Sequence, residues 1–405
     1  MSVADQRAAA RVLSAWFGWT QPYNLQRMQP GFSGGEIFRC QRENTTGLPD
    51  VWALKRLPSG TSHQRVAQVH RVIALARVAG CLFVPRVFQT IRGESFAVDG
   101  RGDFWELLCW MPGTPINELS AGELTDELLS AVGATLATLH SALSVSDDGE
   151  HGLGILPPER LAEIPAVVAR RRRLTELGAM PEFSSTGSIG LSPAIADAAV
   201  LAGSLPPTLA AAVAAARSWL STRWSTHVPE IMAALADCDP SPCTLQWVLR
   251  DVHSQHILVD FDDRRSDAHG AQFGDGAMEN TIVAGRPGGF SASHQGGRVM
   301  GIIDFDAVQV DTRATDLARL VGSLGPPAVR RSEYWRPVLA GYRSVSPFSP
   351  EDETLAKTLS LATQWISLAN WVVWVATEKK RFHAGENAVK LRVWDLLLRL
   401  QFMSN

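Results

Sequence analysis

The sequence predicts an α+β protein with two lobes, a small antiparallel sheet with one helix followed by a larger, mainly helical part. Three observations favour this fold class. The chain has 405 residues, 45% of them hydrophobic, which is more than a single small core needs. Alternating apolar positions are concentrated before residue 112. Beyond it, apolar residues repeat at intervals of three and four in alanine-rich segments. We therefore expect an N-terminal lobe at 1–112 and a C-terminal lobe at 113–405.

The N-terminal lobe is predicted to begin with an amphipathic helix and to continue with strands. Residues 31–57 alternate around a turn rich in Gly, Asn and Pro, which predicts a hairpin followed by another strand. Residues 61–79 have helical spacing, follow a Ser or Thr cap and stop at a glycine. Residues 83–111 predict two further strands around GRGD, and Pro112 and Gly113 then break the chain. The N-terminal lobe is therefore expected to contain a five-stranded sheet with one helix.

The C-terminal lobe is predicted to be helical except for two strand-like segments, 245–260 and 298–305. Residues 261–298 lie between them, are rich in Gly, Ser, Asp and Asn, and have little periodicity. We interpret this stretch as a mobile insertion in a hairpin. The predicted helices cover residues 121–143, 158–178, 206–236, 314–324, 331–344, 350–380 and 385–402.

Composition excludes several function classes. The chain has 38 basic and 41 acidic residues, so it has no overall field that would bind nucleic acid or an anionic membrane. The basic run at 170–173 is interpreted as a solvated helix face. The five cysteines are scattered without a CxxC pair, which argues against a disulfide framework and a zinc site. No stretch approaches eighteen apolar residues, and the N-terminus lacks the pattern of an export signal. We expect a cytoplasmic protein.

Four features in chain order point to phosphoryl transfer. They are a glycine-containing hairpin (Gly31, Gly34, Gly35), a strand lysine in WALK (Lys55), an aspartate in VLRDVHSQH (Asp251) and the first aspartate of IDFD (Asp304). Each alone is a weak signal. Together they match the needs of the reaction, because glycines let backbone N–H groups approach phosphates, a lysine holds phosphates, one carboxylate orients the acceptor hydroxyl and another binds magnesium.

The chain resembles the aminoglycoside phosphotransferase family, small-molecule kinases with a protein-kinase-like fold. The family's catalytic loop is close to HGDxHxxNxLxD, and LRDVHSQHILVD occupies that place here. The loop is expected at 248–260 and the metal-binding segment at 301–306. TDLARL matches the family's downstream helix, where Asp316 is expected to brace the catalytic loop. LLCWMPG resembles the hinge between the lobes.

The resemblance implies a role for each matching residue. Asp251 is the expected catalytic base, with a helix cap or surface turn as the alternative, and Lys55 anchors the phosphates of ATP. Backbone groups at Cys109 and Met111 would meet the adenine edge. Asp304 is the expected magnesium ligand, and Asp306 is either a second ligand or a solvated loop residue.

The family's asparagine in the catalytic loop is replaced by His256. Magnesium prefers oxygen ligands, whereas imidazole suits softer divalent ions. Two interpretations remain open at this point. Either His256 binds the metal and favours manganese over magnesium, or it hydrogen-bonds Asp251 and binds no metal.

The helix after Lys55 has no glutamate, because the chain contains neither Glu nor Asp between Leu57 and Arg92. His70 lies on the apolar stripe of this helix and is the nearest candidate to take the usual glutamate's place. If it faces Lys55, activity is expected to fall as the pH drops through the histidine range, because a charged imidazole repels the lysine. The alternative is a buried histidine bonded to the backbone. A third departure is the pair Leu249 and Arg250 in place of His-Gly; Arg250 either pairs with an acidic group or is solvated.

The leading hypothesis is an ATP-dependent kinase with Mg²⁺ or Mn²⁺, acting on a hydroxyl group of a small molecule. The alternative is a pseudokinase, a nucleotide-binding or scaffold protein without turnover, which the changes at His70 and His256 motivate. The survival of Lys55, Asp251 and Asp304 argues against it. The acceptor and the oligomeric state are left open by the sequence.

Overall fold

The structure is a computed structural model, and it confirms the predicted α+β class. The structure describes residues 3–17, 24–29, 32, 34–43, 49–144, 164–183, 207–238, 245–261, 297–325 and 332–402. Gly31 and residues 262–296 of the expected insertion lie outside this set.

The N-terminal sheet has five strands, as predicted, but one of them was misplaced. Residues 31–57 contain two strands, and the third precedes the glycine-containing segment, so this segment is itself the connection between the first two strands. The pairing order is β1-β2-β3-β5-β4, and all pairs are antiparallel. The strands are β1 Asn24–Arg27, β2 Glu36–Glu43, β3 Pro49–Arg56, β4 Ala97–Val98 and β5 Phe104–Cys109.

Two helices flank this sheet. Helix α1, Val3–Phe17, buries Leu13 and Trp16 in one core with strand residues such as Phe38 and Leu54. Helix α2, His63–Val78, starts at the predicted cap, where Ser62 accepts a hydrogen bond from the Arg65 N–H. The apolar face of α2 joins the larger core of the C-terminal part instead.

The C-terminal part is mainly helical, and each described helix lies within a predicted segment or differs from it at the ends by one or two turns. After Val372 the last turn of one helix widens into a π-helical turn, Val373–Thr377. The helices are α3 Asp126–Leu143, α4 Pro165–Gly178, α5 Leu209–Ala236, α6 Ala314–Val321, α7 Ser332–Val345, α8 Pro350–Val372 and α9 Gly385–Gln401.

Short strands hold the segments that carry the chemical motifs. The predicted hairpin is present, since β8 (Ile257–Asp260) and β9 (Arg298–Ile302) pair antiparallel on either side of 262–296. The segment 245–260 holds two strands, and the loop between them contains Asp251. Two further strands were not predicted, β6 (Thr114–Pro115) and β10 (Gln309–Thr312); β10 pairs with β7 (Leu245–Val248) and fixes the start of that loop. The strands are β6 Thr114–Pro115, β7 Leu245–Val248, β8 Ile257–Asp260, β9 Arg298–Ile302 and β10 Gln309–Thr312.

One segment, Pro350–Thr377, is long and apolar enough to cross a membrane by length and composition alone. Within its apolar window, 56% is buried inside the protein. Trp365 and Leu368 are among the residues that it contributes to the core. A core helix passes the same test of composition, so this segment is weak evidence for a membrane span.

Two glycines allow α3 and α7 to pack against each other with backbone contact. A Cβ atom at Gly133 would overlap the carbonyl oxygen of Val338, and one at Gly341 would overlap that of Ser130. Helix backbones cannot yield as a flexible side chain does. These positions therefore require the absence of a side chain.

The substitution Gly341→Ala is expected to destabilise the fold by about 3 kcal/mol, because the two helices must separate to admit one methyl group. Urea unfolding measures this free energy. Gly122→Ala is the matched control, since a Cβ there meets no atom within 4 Å. Equal stabilities of the two variants would contradict the packing argument.

Candidate active site

Lys55 lies near the centre of a carboxylate cluster between the sheet and the C-terminal part. Its Nζ is 2.7 Å from Asp306 Oδ2, 3.2 Å from Asp304 Oδ1 and 3.9 Å from Glu106 Oε1. Burial lowers the pKa of Lys55, but the negative charges of Asp304, Asp306 and Glu106 outweigh it and hold the pKa above its ordinary value. The lysine is therefore charged at neutral pH.

Glu106 was not considered in the sequence analysis, although its position in the sheet explains its role. It is the cross-strand partner of Lys55 in the pairing of β3 with β5, and it is buried. The signal in the sequence is one acidic residue within the apolar strand FWELLC. A buried carboxylate in such a strand requires a partner of opposite charge.

His70 does not take the place of a glutamate that contacts Lys55 directly. Its Nε2 lies 2.6 Å from Glu106 Oε2, and its Nδ1 lies 2.8 Å from Ser95 Oγ. Both ring nitrogens are thus engaged by other groups, so His70 reaches Lys55 only through Glu106. The expected direct repulsion between a charged His70 and Lys55 has no geometric basis, because Glu106 lies between them.

Removal of the Glu106 side chain is expected to cost about 3 kcal/mol of unfolding free energy, because it leaves the buried His70 without its carboxylate partner and takes away one of the three carboxylates around Lys55. Glu106→Gln should cost about half as much, since the amide keeps a hydrogen bond to His70. Glu118→Ala is the control at an exposed position. Denaturant unfolding of the three variants tests the order; a Glu106→Ala variant as stable as the control would contradict it.

The loop that carries Asp251 is held by Asp316, as predicted. Asp316 is fully buried on α6 and accepts hydrogen bonds from the backbone N–H groups of Leu249 at 2.7 Å and Arg250 at 2.6 Å. His140 adds a side-chain contact of 3.0 Å from Nε2 to Asp316 Oδ2. Asp316 therefore fixes the backbone immediately before Asp251.

Arg250 adopts a backbone conformation that ordinarily favours glycine, with φ of +64°. A side chain in this region costs about 1–2 kcal/mol, and the family has glycine at this place. Arg250 is not simply solvated, since its Nε lies 3.5 Å from the fully buried Asp311 and its Nη1 bonds Gln309. Asp304 has the same φ of +64°. Such strain is typical of functional sites.

Asp251 is paired with an arginine that the sequence analysis missed. The Arg319 Nε donates to Asp251 Oδ1 at 2.7 Å. Arg319 lies three residues after Asp316 on α6, and this spacing places both on one helix face. Among the described residues, Asp251 Oδ2 has no hydrogen-bond partner, and the side chain is 48% exposed. One carboxylate oxygen is thus oriented while the other faces open space.

The geometry of His256 agrees in part with both interpretations, a hydrogen bond to Asp251 and a ligand to a metal ion. Its Nδ1 lies 2.9 Å from the Asp251 carbonyl oxygen, which only accepts, so Nδ1 carries the hydrogen. Burial lowers the pKa of His256, which keeps the ring neutral. Its Nε2 lone pair then faces Asp304 Oδ2 at 3.5 Å. The ring of His253 packs against that of His256 with centroids 3.7 Å apart and a tilt of 33° between the ring planes.

Two electron-rich atoms facing each other suit a divalent cation between them. Ligands about 2.1 Å from one ion are roughly 3.0–3.4 Å apart, close to the separation of His256 Nε2 and Asp304 Oδ2. No cluster of three or more His, Cys, Asp or Glu with metal-binding geometry occurs in the described part of the chain. A nucleotide-bound Mg²⁺ ion typically has one or two carboxylate ligands completed by phosphate oxygens and water, and here Asp304 supplies a carboxylate and His256 an imidazole. The donor set therefore fits a nucleotide-bound cation.

The glycine-containing connection between β1 and β2 is described only in part. Gly34 has φ of +82°, where glycine is favoured, and Gly35 leads into β2. Between them and β1, the ring of Phe32 contacts Trp371 of α8, with centroids 5.1 Å apart. This contact joins the connection to the C-terminal part of the protein.

Of the backbone groups that were expected to meet the adenine edge at the hinge, one N–H is already engaged within the protein. The Cys109 N–H donates to the Arg86 carbonyl at 2.9 Å, so it is not available to a ligand. Within the described residues, the Met111 N–H makes no hydrogen bond. The Cys109 Sγ contacts Met111 Sδ at 3.6 Å. Met111 remains the candidate for adenine recognition.

Solved proteins with the same fold are small-molecule phosphotransferases. Spectinomycin phosphotransferase APH(9)-Ia, in complex with ADP and spectinomycin, aligns with a TM-score of 0.56 and 12% identity over 98% of each chain. An amicoumacin kinase in complex with AMP-PNP and Ca²⁺ aligns with a TM-score of 0.52 and 12% identity, over 98% of this chain and 96% of that one. A microcompartment-associated aminopropanol kinase gives a TM-score of 0.52 and 15% identity over 99% and 98%. A comparison with curated protein sequences finds no match.

The fold and these likenesses define a protein-kinase-like phosphotransferase. Residues 29–268 match the sequence model of the phosphotransferase enzyme family, which is more than half of the chain. The chain belongs to this family, as its motifs indicated. It is therefore a small-molecule kinase by class.

Proposed function

We propose that this protein transfers the terminal phosphoryl group of ATP to a hydroxyl group of a small molecule. The proposal rests above all on one convergence. Lys55 from the sheet lies 3.2 Å from Asp304, and His256 connects Asp304 to the loop of Asp251 with contacts of 3.5 Å and 2.9 Å. Three residues far apart in sequence thus share one site with the charges that this reaction needs.

In the proposed reaction, Asp251 Oδ2 accepts the proton of the acceptor hydroxyl while Arg319 holds Oδ1. Lys55 exchanges the carboxylates of Asp304 and Asp306 for phosphate oxygens. Backbone N–H groups near Gly34 and Gly35 approach the phosphates, and Met111 donates to the adenine edge. Asp304 and His256 would hold a divalent cation, which would supply positive charge to the phosphates.

The remaining assignments belong to the same proposal. The cation is Mg²⁺, with Mn²⁺ as the alternative that a nitrogen ligand favours. The boundary between the lobes falls near residue 112, and the protein acts in the cytoplasm on a hydroxylated metabolite. The nearly balanced charge of the chain, −3, supports a small-molecule acceptor over nucleic acid.

The test is nucleotide-induced thermal stabilisation with Mg²⁺ and then Mn²⁺, followed by ATP consumption against a panel of hydroxylated metabolites. We expect stabilisation by ATP with either metal and consumption that depends on one acceptor class. Stabilisation without consumption across the panel would favour the pseudokinase. Stabilisation with Mn²⁺ alone would support His256 as a metal ligand.

A further inference from the structure

A polar pocket lies beside the catalytic loop, between α6, α8 and α9. A water-sized molecule has about 20 Å³ to occupy in it, and the figure rises to about 320 Å³ only when open solvent at the mouth is counted. Arg319 is at the end of the pocket next to Asp251, since the same side chain bonds Asp251 Oδ1 at 2.7 Å. The acceptor hydroxyl and this pocket are thus separated by one arginine side chain. The other polar lining residues include Ser360, Gln364, Arg392 and Arg399.

Gln364 has an unsatisfied amide in the pocket wall. It is 4% exposed, and neither its Oε1 nor its Nε2 has a hydrogen-bond partner. A buried amide without partners costs on the order of 1–3 kcal/mol. Neither amide atom is exposed to solvent in the free protein, so a ligand in the pocket would bond to this group once the side chain turns toward it.

The pocket has more positive than negative charge. Arg392 makes no hydrogen bond among the described residues, and its ion pair with Asp395 is long, at 3.6 Å. Asp395 already accepts two hydrogen bonds from Arg399 Nε, at 2.8 and 2.9 Å. Asp251 and Asp395 are the acidic groups that pair with the three arginines of the pocket, so one positive charge is left without a partner. Burial, and then the charge of Arg319, lowers the pKa of Arg392 to about 10, which still leaves it charged at neutral pH.

From these contacts we infer that the pocket binds a carboxylate of the acceptor, so that the substrate is a hydroxy acid. This inference rests on the proposed function. The carboxylate lies against Arg392 and accepts from the Gln364 amide, while the hydroxyl of the same molecule reaches Asp251 Oδ2. A polycationic acceptor would meet the arginines with like charge and is disfavoured.

Binding can be measured apart from turnover. The probes are glycerate and acetate, with glyceramide and acetamide as their neutral analogues, titrated in the absence of nucleotide. We expect the carboxylates to stabilise the wild-type protein in thermal shift and calorimetry and the amides to have no effect. Arg392→Gln should weaken glycerate binding at least about tenfold, because a charge-assisted pair is lost. Arg172→Gln on the exposed face of α4 is the control, because it removes the same positive charge away from the pocket.

Gln364→Leu separates a binding role from a structural one. It should raise the melting temperature of the free protein, because the unpaired amide is gone, and at the same time weaken glycerate binding. Failure of both carboxylates to stabilise the wild type, or glycerate binding that Arg392→Gln leaves unchanged, would overturn the inference. The thermal shift that ATP causes in the same samples tests the proposed function separately, because that function requires ATP binding and turnover.

Discussion

Asp251→Asn is expected to lower kcat by about 10²–10⁴-fold and to leave nucleotide binding within about twofold of the wild type. The substitution keeps the size of the side chain and an oxygen that accepts from Arg319. It removes the charge that takes up the proton of the acceptor hydroxyl. Because Arg319 bonds Oδ1 at 2.7 Å and the other oxygen has no partner among the described residues, the effect falls on the oxygen that faces the acceptor.

The measurement is steady-state turnover of the acceptor found in the panel, with nucleotide thermal shift on the same samples. Asp251 is 48% exposed, so loss of its ion pair should change the unfolding free energy by less than about 1 kcal/mol. Asp126→Asn is a matched control, since it breaks another exposed pair with an arginine, Arg336, at 2.9 Å. A kcat within tenfold of the wild type would exclude Asp251 as the base.

The sequence predicted those parts of the site that depend on short spacings. Asp251 and Asp316 were found because a loop motif and a helix motif each lie within a few residues. The bracing role of Asp316 was implied by the resemblance of TDLARL to the family's downstream helix, and it is confirmed by the bonds that Asp316 accepts from the Leu249 and Arg250 N–H groups. Four of the five strands of the N-terminal sheet and the helices were predictable for the same reason, since their periodicity is local.

Residues whose roles depend on strand register were not predictable in this way. Glu106 meets Lys55 because β3 and β5 pair in one register, and a shift of one residue would turn Glu106 to the other face. His70 was one candidate for the place of the usual glutamate, with a buried histidine as the alternative, but the carboxylate near Lys55 is that of Glu106, to which the buried His70 bonds. The first strand was misplaced because four residues, Asn24–Arg27, are too few for a clear alternation.

Lys55→Met is expected to abolish measurable turnover and to weaken ATP binding at least about tenfold, because the phosphates lose their cationic partner. In the free protein it also removes the positive charge that Glu106, Asp304 and Asp306 share. Asp304 and Asp306 are 38% and 33% exposed, so water screens part of their repulsion. We therefore expect destabilisation of about 2 kcal/mol, below the cost of breaking a fully buried pair.

A double variant tests whether this destabilisation comes from the carboxylates. If repulsion is the cause, the double variant Lys55→Met with Glu106→Gln should lose less unfolding free energy than the two single variants lose together. The difference should be about 1 kcal/mol. Lys357→Met is the matched control, since Lys357 pairs with Glu353 at 2.5 Å on an exposed helix face. There the cost should not exceed about 0.5 kcal/mol. Additive losses of unfolding free energy in Lys55→Met and Glu106→Gln would show that the two side chains do not interact. Wild-type turnover in Lys55→Met would show that the lysine has no part in the reaction.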